Sequence, residues 1–197
     1  MKRFVVILLL ALSAVFAAPF SHEGIFVNAA AGIGYASFEN ADGEETLSAP
    51  GFGMKLHGKL GYFVMQNLAL HANIGYVAYS NFRETRYGLP IQVYHDFATV
   101  SSVFVGAGVT YYVPSWSNIF FSGSLGATGY ELDCRRMKGD TGLRALTFDV
   151  GIGKEWWVSE RIGLGVSLAF DSGDYWSKND GVFRSSSLML MFSVSFN

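Results

Sequence analysis

Residues 185–196 read Ser185-Ser186-Ser187-Leu188-Met189-Leu190-Met191-Phe192-Ser193-Val194-Ser195-Phe196. Leu188, Leu190, Phe192, Val194 and Phe196 recur at every second position, and Ser185, Ser187, Met189, Met191, Ser193 and Ser195 fill the places between. Only a β-strand separates two such faces. One face is apolar, carries no charge and ends in an aromatic ring. The other is mostly small hydroxyls, which are wasted in an oily core but suit a wet or polar-packed interior. Oil outside and polarity inside is the pattern of a strand in a membrane β-barrel.

Seven earlier segments repeat that inversion. In residues 24–38, Ile25, Val27, Ala29, Ala31, Ile33 and Tyr35 oppose Asn28, Ala30, Gly32 and Gly34. In 51–63, Phe52, Met54, Leu56, Leu60 and Tyr62 oppose Lys55, His57 and Lys59; in 68–80, Leu70, Ala72, Ile74 and Tyr76 oppose His71, Asn73 and Gly75. Residues 97–112 set Val103, Val105, Ala107, Val109 and Tyr111 against Ser102, Gly106, Gly108 and Thr110, and residues 119–130 set Phe121, Leu125 and Ala127 against Ser122, Ser124 and Thr128. Residues 145–157 place Leu146, Phe148, Val150, Ile152 and Trp156 opposite Asp149, Gly151, Gly153 and Glu155; Lys154 interrupts the outer face close to the strand end, where its ammonium reaches water. Residues 162–171 alternate Ile162, Leu164, Val166, Leu168 and Phe170 with Gly163, Gly165, Ser167 and Asp171. With 185–196 this makes eight strands, each long enough for the ~9 to 11 residues that a tilted strand needs to cross a bilayer.

The connections supply an independent signal. Residues 64–67, 113–118 and 158–161 are short and rich in turn formers, whereas 39–50, 81–96, 131–142 and 172–184 are longer and more polar. Tyr62, Tyr111, Trp116, Phe121, Trp156 and Phe196 fall near the short turns, and Tyr35, Phe52, Tyr76, Phe97 and Phe170 near the long loops, the spacing of two aromatic girdles. The expected fold is all-β: an eight-stranded antiparallel up-and-down transmembrane β-barrel with both termini on the short-turn, periplasmic side.

Composition and address agree. Only 15% of the 197 residues are charged, below the usual quarter of a soluble protein, and 16% are aromatic. Residues 1–17 have the form of a cleaved secretory signal: Lys2 and Arg3, an apolar run from Phe4 to Phe16, and small residues at Val15 and Ala17. The barrel domain is then 18–197. Its 12 basic and 16 acidic residues give a charge of about −4, which argues against nucleic acid as a partner. Cys134 is the single cysteine, so no internal disulfide is possible; beside Arg135 and Arg136 it reads as an incidental loop thiol.

The mature chain resembles the small outer-membrane β-barrel family of Gram-negative bacteria, typified by the OmpA membrane domain and OmpX. The residues that carry the likeness are the signal, the paired strands 51–63 and 68–80, and a final strand ending in an aromatic. The resemblance implies a cell outer membrane location, contact with outer-membrane lipid and lipopolysaccharide, and delivery by periplasmic chaperones to the barrel-assembly machinery. That machinery would read Leu188, Leu190, Phe192, Val194 and Phe196 as an assembly signal, although here Asn197 follows the terminal aromatic. No peptidoglycan-binding domain follows, so the anchoring role of full-length OmpA does not carry over.

An eight-stranded barrel is narrow enough for side chains to fill. The inward Lys55, His57, Lys59, His71, Asp149, Glu155 and Asp171, with Asn28 and Asn73, therefore need internal partners, because an unpaired buried charge costs several kcal/mol. Counting along each strand places Lys59 near Asp149 at mid-height and Lys55 with Asp171 nearer the long loops, a lumenal polar network that fixes the barrel. Replacing Lys59 or Asp149 by an apolar isostere is expected to alter stability more than conductance.

Enzymes of lipid acyl transfer or hydrolysis exist on this scaffold, and they need a nucleophile, a base and an orienting acid within reach of lipid. His57 and His71 point into the lumen, His22 precedes the barrel, and nothing in the spacing ties Ser80, Ser172 or Ser177 to His95 beside Asp96. The loops carry an acidic cluster (Glu39, Asp42, Glu44, Glu45), a basic one (Arg135, Arg136, Lys138) able to meet lipopolysaccharide phosphates, and the aromatics Tyr175, Trp176 and Phe183. Asp171, Asp174 and Asp180 do not match a calcium-loop pattern and read as turn chemistry. The expectation is a monomeric, non-catalytic structural or surface-binding barrel with no cofactor or metal. A narrow channel is the alternative, a lipid-modifying hydrolase a further one, and a secreted lipocalin-like carrier would need the opposite polarity.

Overall fold

The computed structural model describes residues 22–42, 45–81, 85–87, 98–134, 137–177 and 181–196. Eight long strands form the wall: β1 (Ile25–Asp42), β2 (Glu45–Met65), β3 (Leu68–Asn81), β5 (Ala98–Val113), β6 (Ile119–Cys134), β7 (Met137–Trp157), β8 (Ile162–Ser177) and β9 (Gly181–Phe196). Each pairs antiparallel with its neighbour in sequence, and β1 pairs with both β2 and β9, so the sheet closes on itself. Closure leaves no unpaired edge, the condition for a sheet that crosses hydrocarbon. Among the described residues no helix is long and apolar enough to cross a membrane.

The period-two faces fall as expected. In β9, Leu188, Leu190, Phe192, Val194 and Phe196 are exposed on the outside, while Ser187, Met189, Met191, Ser193 and Ser195 are buried within. The same split holds around the wall: Leu56, Leu60, Ile74, Val105, Leu125, Val150 and Leu168 face outward, and Lys55, His57, His71, Asn73, Ser124, Asp149 and Glu155 face inward. An apolar surface this continuous cannot face bulk water in a stable soluble monomer. The described girdle aromatics also lie outside, among them Tyr35, Phe52, Tyr62, Tyr76, Tyr111, Trp116, Phe121, Phe170 and Phe196; Phe97 lies outside the described residues.

The short connections are tight for local reasons. Asn67 takes φ 67°, Ser117 φ 54° and Asn118 φ 60°, left-handed values that short polar side chains tolerate. Pro114–Trp116 forms one turn of 3-10 helix, entered at a proline. At the third turn the Ser159 hydroxyl accepts from the backbone N–H of Arg161 at 3.4 Å and of Ile162 at 3.1 Å.

Three of the four expected long loops are instead paired β-ribbon. The ladder runs on to Asp42↔Glu45, Cys134↔Met137 and, in β8–β9, Ser177↔Gly181. β1 thus extends seven residues past Tyr35. The fourth connection contains a short strand, β4 (Thr85–Tyr87), which pairs with residues 46–48 of β2. Their polar composition reads as loop because the apolar alternation that marks the wall is missing there, yet hairpin neighbours keep their backbone groups paired.

Candidate functional site

The polar groups enclosed by the wall form three tiers rather than one network. Nearest the ribbons, the Lys55 ammonium donates to Asp149 Oδ2 at 2.6 Å and to Asp171 Oδ1 at 2.5 Å, and the Ser187 hydroxyl donates to the same Asp171 oxygen at 2.8 Å. Lys55 and Asp149 are almost wholly buried. One cation thus spans the lumen between β2 and the β7–β8 pair, where Asp149↔Asp171 are register partners.

The middle tier is neutral hydrogen bonding. His71 Nε2 lies 2.9 Å from Thr110 Oγ1, and the Asn73 amide donates to Ser124 Oγ at 2.7 Å. His57 is buried beside this tier, and among the described residues its Nε2 has no hydrogen-bond partner. At the short-turn end, Glu155 accepts from the Tyr112 hydroxyl at 3.1 Å and from the Ser195 hydroxyl at 2.5 Å. Its carboxyl occupies the space above Gly163, where an added Cβ would collide with it. Glycine at 163 is what lets a glutamate lie flat inside so narrow a wall.

Lys59 lies near Asp149, as expected, but does not pair with it. The two line one cavity with His57, Thr110 and Ser193, yet among the described residues no carboxylate lies within ion-pair distance of the Lys59 ammonium; Lys55 holds Asp149 instead. Strands of a closed barrel are staggered, so equal counts from the turns do not mean equal heights on opposite walls. Lys55, expected with Asp171 alone, reaches both acids.

Two small cavities flank the ion-paired tier. The one on the ribbon side is about 30 Å³ and is lined by Lys55, Asp171 and hydroxyls including those of Tyr79, Thr128 and Ser187. The one on the short-turn side, also about 30 Å³, is lined by Lys59, His57 and Ser193. Each has room for one or two waters.

The short-turn mouth is closed by a group that sequence reasoning left outside. His22 is fully buried, stacked on Tyr112 with ring centroids 3.8 Å apart, and flanked by Trp157 at 4.8 Å and Phe63 at 5.5 Å. Its carbonyl accepts from the Asn67 N–H at 3.4 Å, and the Gly24 carbonyl accepts from the Phe63 N–H at 2.8 Å, so the segment before β1 is hydrogen-bonded across the mouth. Burial pushes the His22 imidazole, which lies outside the strands, down to about 4. Phe26, Phe63, Ala69, Tyr112 and Phe120 pack into one apolar plug above it. An alternating pattern hid those rings, because they interrupt a nominally polar face with the same residue types as the outer one.

Catalytic geometry is not assembled among the described residues. His95 and Asp96 lie outside them, as do Arg135 and Arg136; Ser80 faces only Thr99, 3.4 Å away between hydroxyls. The side chains of Asp42, Glu45, Cys134, Lys138, Tyr175, Trp176 and Phe183 also lie outside the description, together with Glu44 and Asp180. Asp171 turns inward to Lys55 while Asp174 turns outward to Arg184, 3.0 Å away, so these two do not share a site. Among the described residues no group of three metal-ligating side chains gathers.

No protein-family model and no curated protein sequence matches the chain. Among solved structures it is similar to Neisserial surface protein A, NspA, at 17% identity and a TM-score of 0.56, over 90% of this chain and 99% of that one. OprG of Pseudomonas aeruginosa matches at 10% identity and a TM-score of 0.49, covering 89% of this chain and 98% of that one. Ail, the attachment invasion locus protein of Yersinia pestis, matches at 17% identity and 0.45, covering 88% and 99%. At such identities the likeness concerns architecture, and the NspA match and the closed ladder together give the chain the fold of the small eight-stranded outer-membrane β-barrels.

Proposed function

We propose that the chain is an integral outer-membrane protein with a structural or surface-binding role, non-catalytic and non-conducting, reached through a cleaved signal at residues 1–17. The observation that carries this is the filled lumen: Lys55 clamps Asp149 and Asp171 across it, and the spaces on either side hold about 30 Å³ each. The ribbons that continue β1–β2, β6–β7 and β8–β9 beyond the upper aromatics then present the surface available to partners outside the cell. Short turns would face the periplasm. Outer-membrane lipid and lipopolysaccharide would surround the wall, the chain would act as a monomer, and the outward face of β9 would serve the assembly machinery.

Two measurements test it. Detergent extraction from the outer membrane should yield a form whose gel migration changes on boiling, and the purified barrel should leave a planar bilayer electrically silent. A narrow conduit has one observation in its favour, the lumenal Lys59, which forms no ion pair among the described residues. Steady single-channel steps whose ion selectivity changes with Lys59→Met would replace the structural reading with that one.

A further inference from the structure

Between the two aromatic bands, Lys154 is the one charged side chain among the described outward-facing residues. It lies three residues from the short-turn end of β7, and its register partner on β6, Ile119, is the first residue of that strand. The ammonium sits 5.7 Å from the centre of the Trp156 ring, which holds it against the wall. A cation on a hydrocarbon-facing surface is costly unless it meets water or an anion.

Beside it runs an outer groove of about 630 Å³. Ala29 and Ala31 form its floor, where side chains are short, and Trp156, Leu164, Phe192 and Val194 rise around them. The register links the two features: Lys154 pairs with Val166, Val166 with Phe192, and Phe192 with Ala31. From β7 to β1 is three strand spacings, roughly 14 Å at about 4.8 Å each. A cation at the boundary thus stands at one end of an apolar trough that leads away from it into the belt.

We propose that this groove is a binding site for an anionic glycerophospholipid of the periplasmic leaflet, its phosphate on Lys154 and one acyl chain over Ala29 and Ala31. The assignment rests on the membrane reading above. Charge complementarity selects the occupant: an apolar chain alone would leave Lys154 with water as its only partner, and a second copy of this chain would set Lys154 against its own apolar belt, with no anion to meet it. Indole and ammonium together give the phosphate a fixed position, and the small floor residues give the chain a depression between the bulkier Leu164, Phe192 and Val194.

Native mass spectrometry of the detergent-purified barrel, incubated with equal amounts of phosphatidylglycerol and phosphatidylcholine, tests this. Retained phosphatidylglycerol should exceed phosphatidylcholine by about five-fold, the worth of one basic residue near an anionic membrane surface. Lys154→Met should bring the two to parity, Lys154→Arg should keep the preference, and Ala31→Phe, which fills the floor without disturbing an outward apolar position, should lower retention of both. A preference untouched by Lys154→Met and Ala31→Phe overturns the site, and so does a dimer peak that Ala31→Phe abolishes. Vesicle insertion is scored on the same samples: a protein that stays in water without lipid overturns the membrane reading itself, whereas one that inserts but shows no preference overturns only the site.

Discussion

Lys55 holds two carboxylates with one ammonium, and that makes it the residue whose loss leaves most uncompensated. Lys55→Met strands Asp149 and Asp171 together inside the wall, and breaking a buried pair from one side costs about 3 to 5 kcal/mol. Lys59→Met removes an ammonium that forms no ion pair among the described residues, so its cost should be much smaller. Urea midpoints of the refolded barrel should therefore fall far more for Lys55→Met than for Lys59→Met; the reverse order would mean that Lys59 carries the lumenal charge balance. His22 sets a pH dependence of its own. Its imidazole titrates near 6.5 when free and about 4 when buried, so the folded state binds fewer protons between those values. The packing it contributes is fully present above pH 6.5 and is lost as pH falls toward 4, with a slope of up to about 1.4 kcal/mol per pH unit. Thermal midpoints measured from pH 7 to pH 4 should decline in the native chain and decline less in His22→Phe, which keeps the stack on Tyr112 without a titrating group.

At the scale of the strand, β9 shows how strictly the two faces are specified. Leu190→Lys places a charge on the outer face of the belt and should cost about 2 to 4 kcal/mol in vesicle refolding, as for basic residues near the bilayer midplane. Phe196→Ala should act differently, delaying the appearance of the heat-modifiable form in cells while leaving the stability of the refolded barrel nearly unchanged, if the terminal aromatic serves assembly. The eight walls were legible because period two is a property of neighbouring residues, and Leu188 and Met189 declare their faces without reference to any other strand. Partners across the lumen were not legible. Whether Asp149 meets Lys55 or Lys59 depends on the stagger between β2 and β7, on opposite sides of the closed sheet, and on how far an extended lysine reaches. His22 was missed because a single residue before the first strand has no period, and the ribbons were missed because strands beyond the aromatic bands lose the apolar face that marks the wall.

For the whole barrel the central question is whether eight strands can conduct. Strand number sets the radius, and at eight the interior is just wide enough for side chains to fill. Conduction would then depend on deleting side chains in concert. The cavities on the two sides of the Lys55 tier are separated by charged groups that hold one another, with Asp149 lining both. Removing a single member leaves a charge without its counter-ion, so a lone substitution confuses instability with opening. Replacing Lys55, Asp149 and Asp171 together by alanine removes the tier without stranding any of its members, at the cost of the space the three side chains vacate. The triple variant should still shift its gel migration on boiling. In planar bilayers it should stay silent like the native barrel, because the two water-sized spaces join but His22 and the aromatic plug still close the short-turn mouth. Truncating the chain before Gly24 in that background should let current pass. Current through the triple variant alone would place the seal in the ion-paired tier and not at the short-turn mouth.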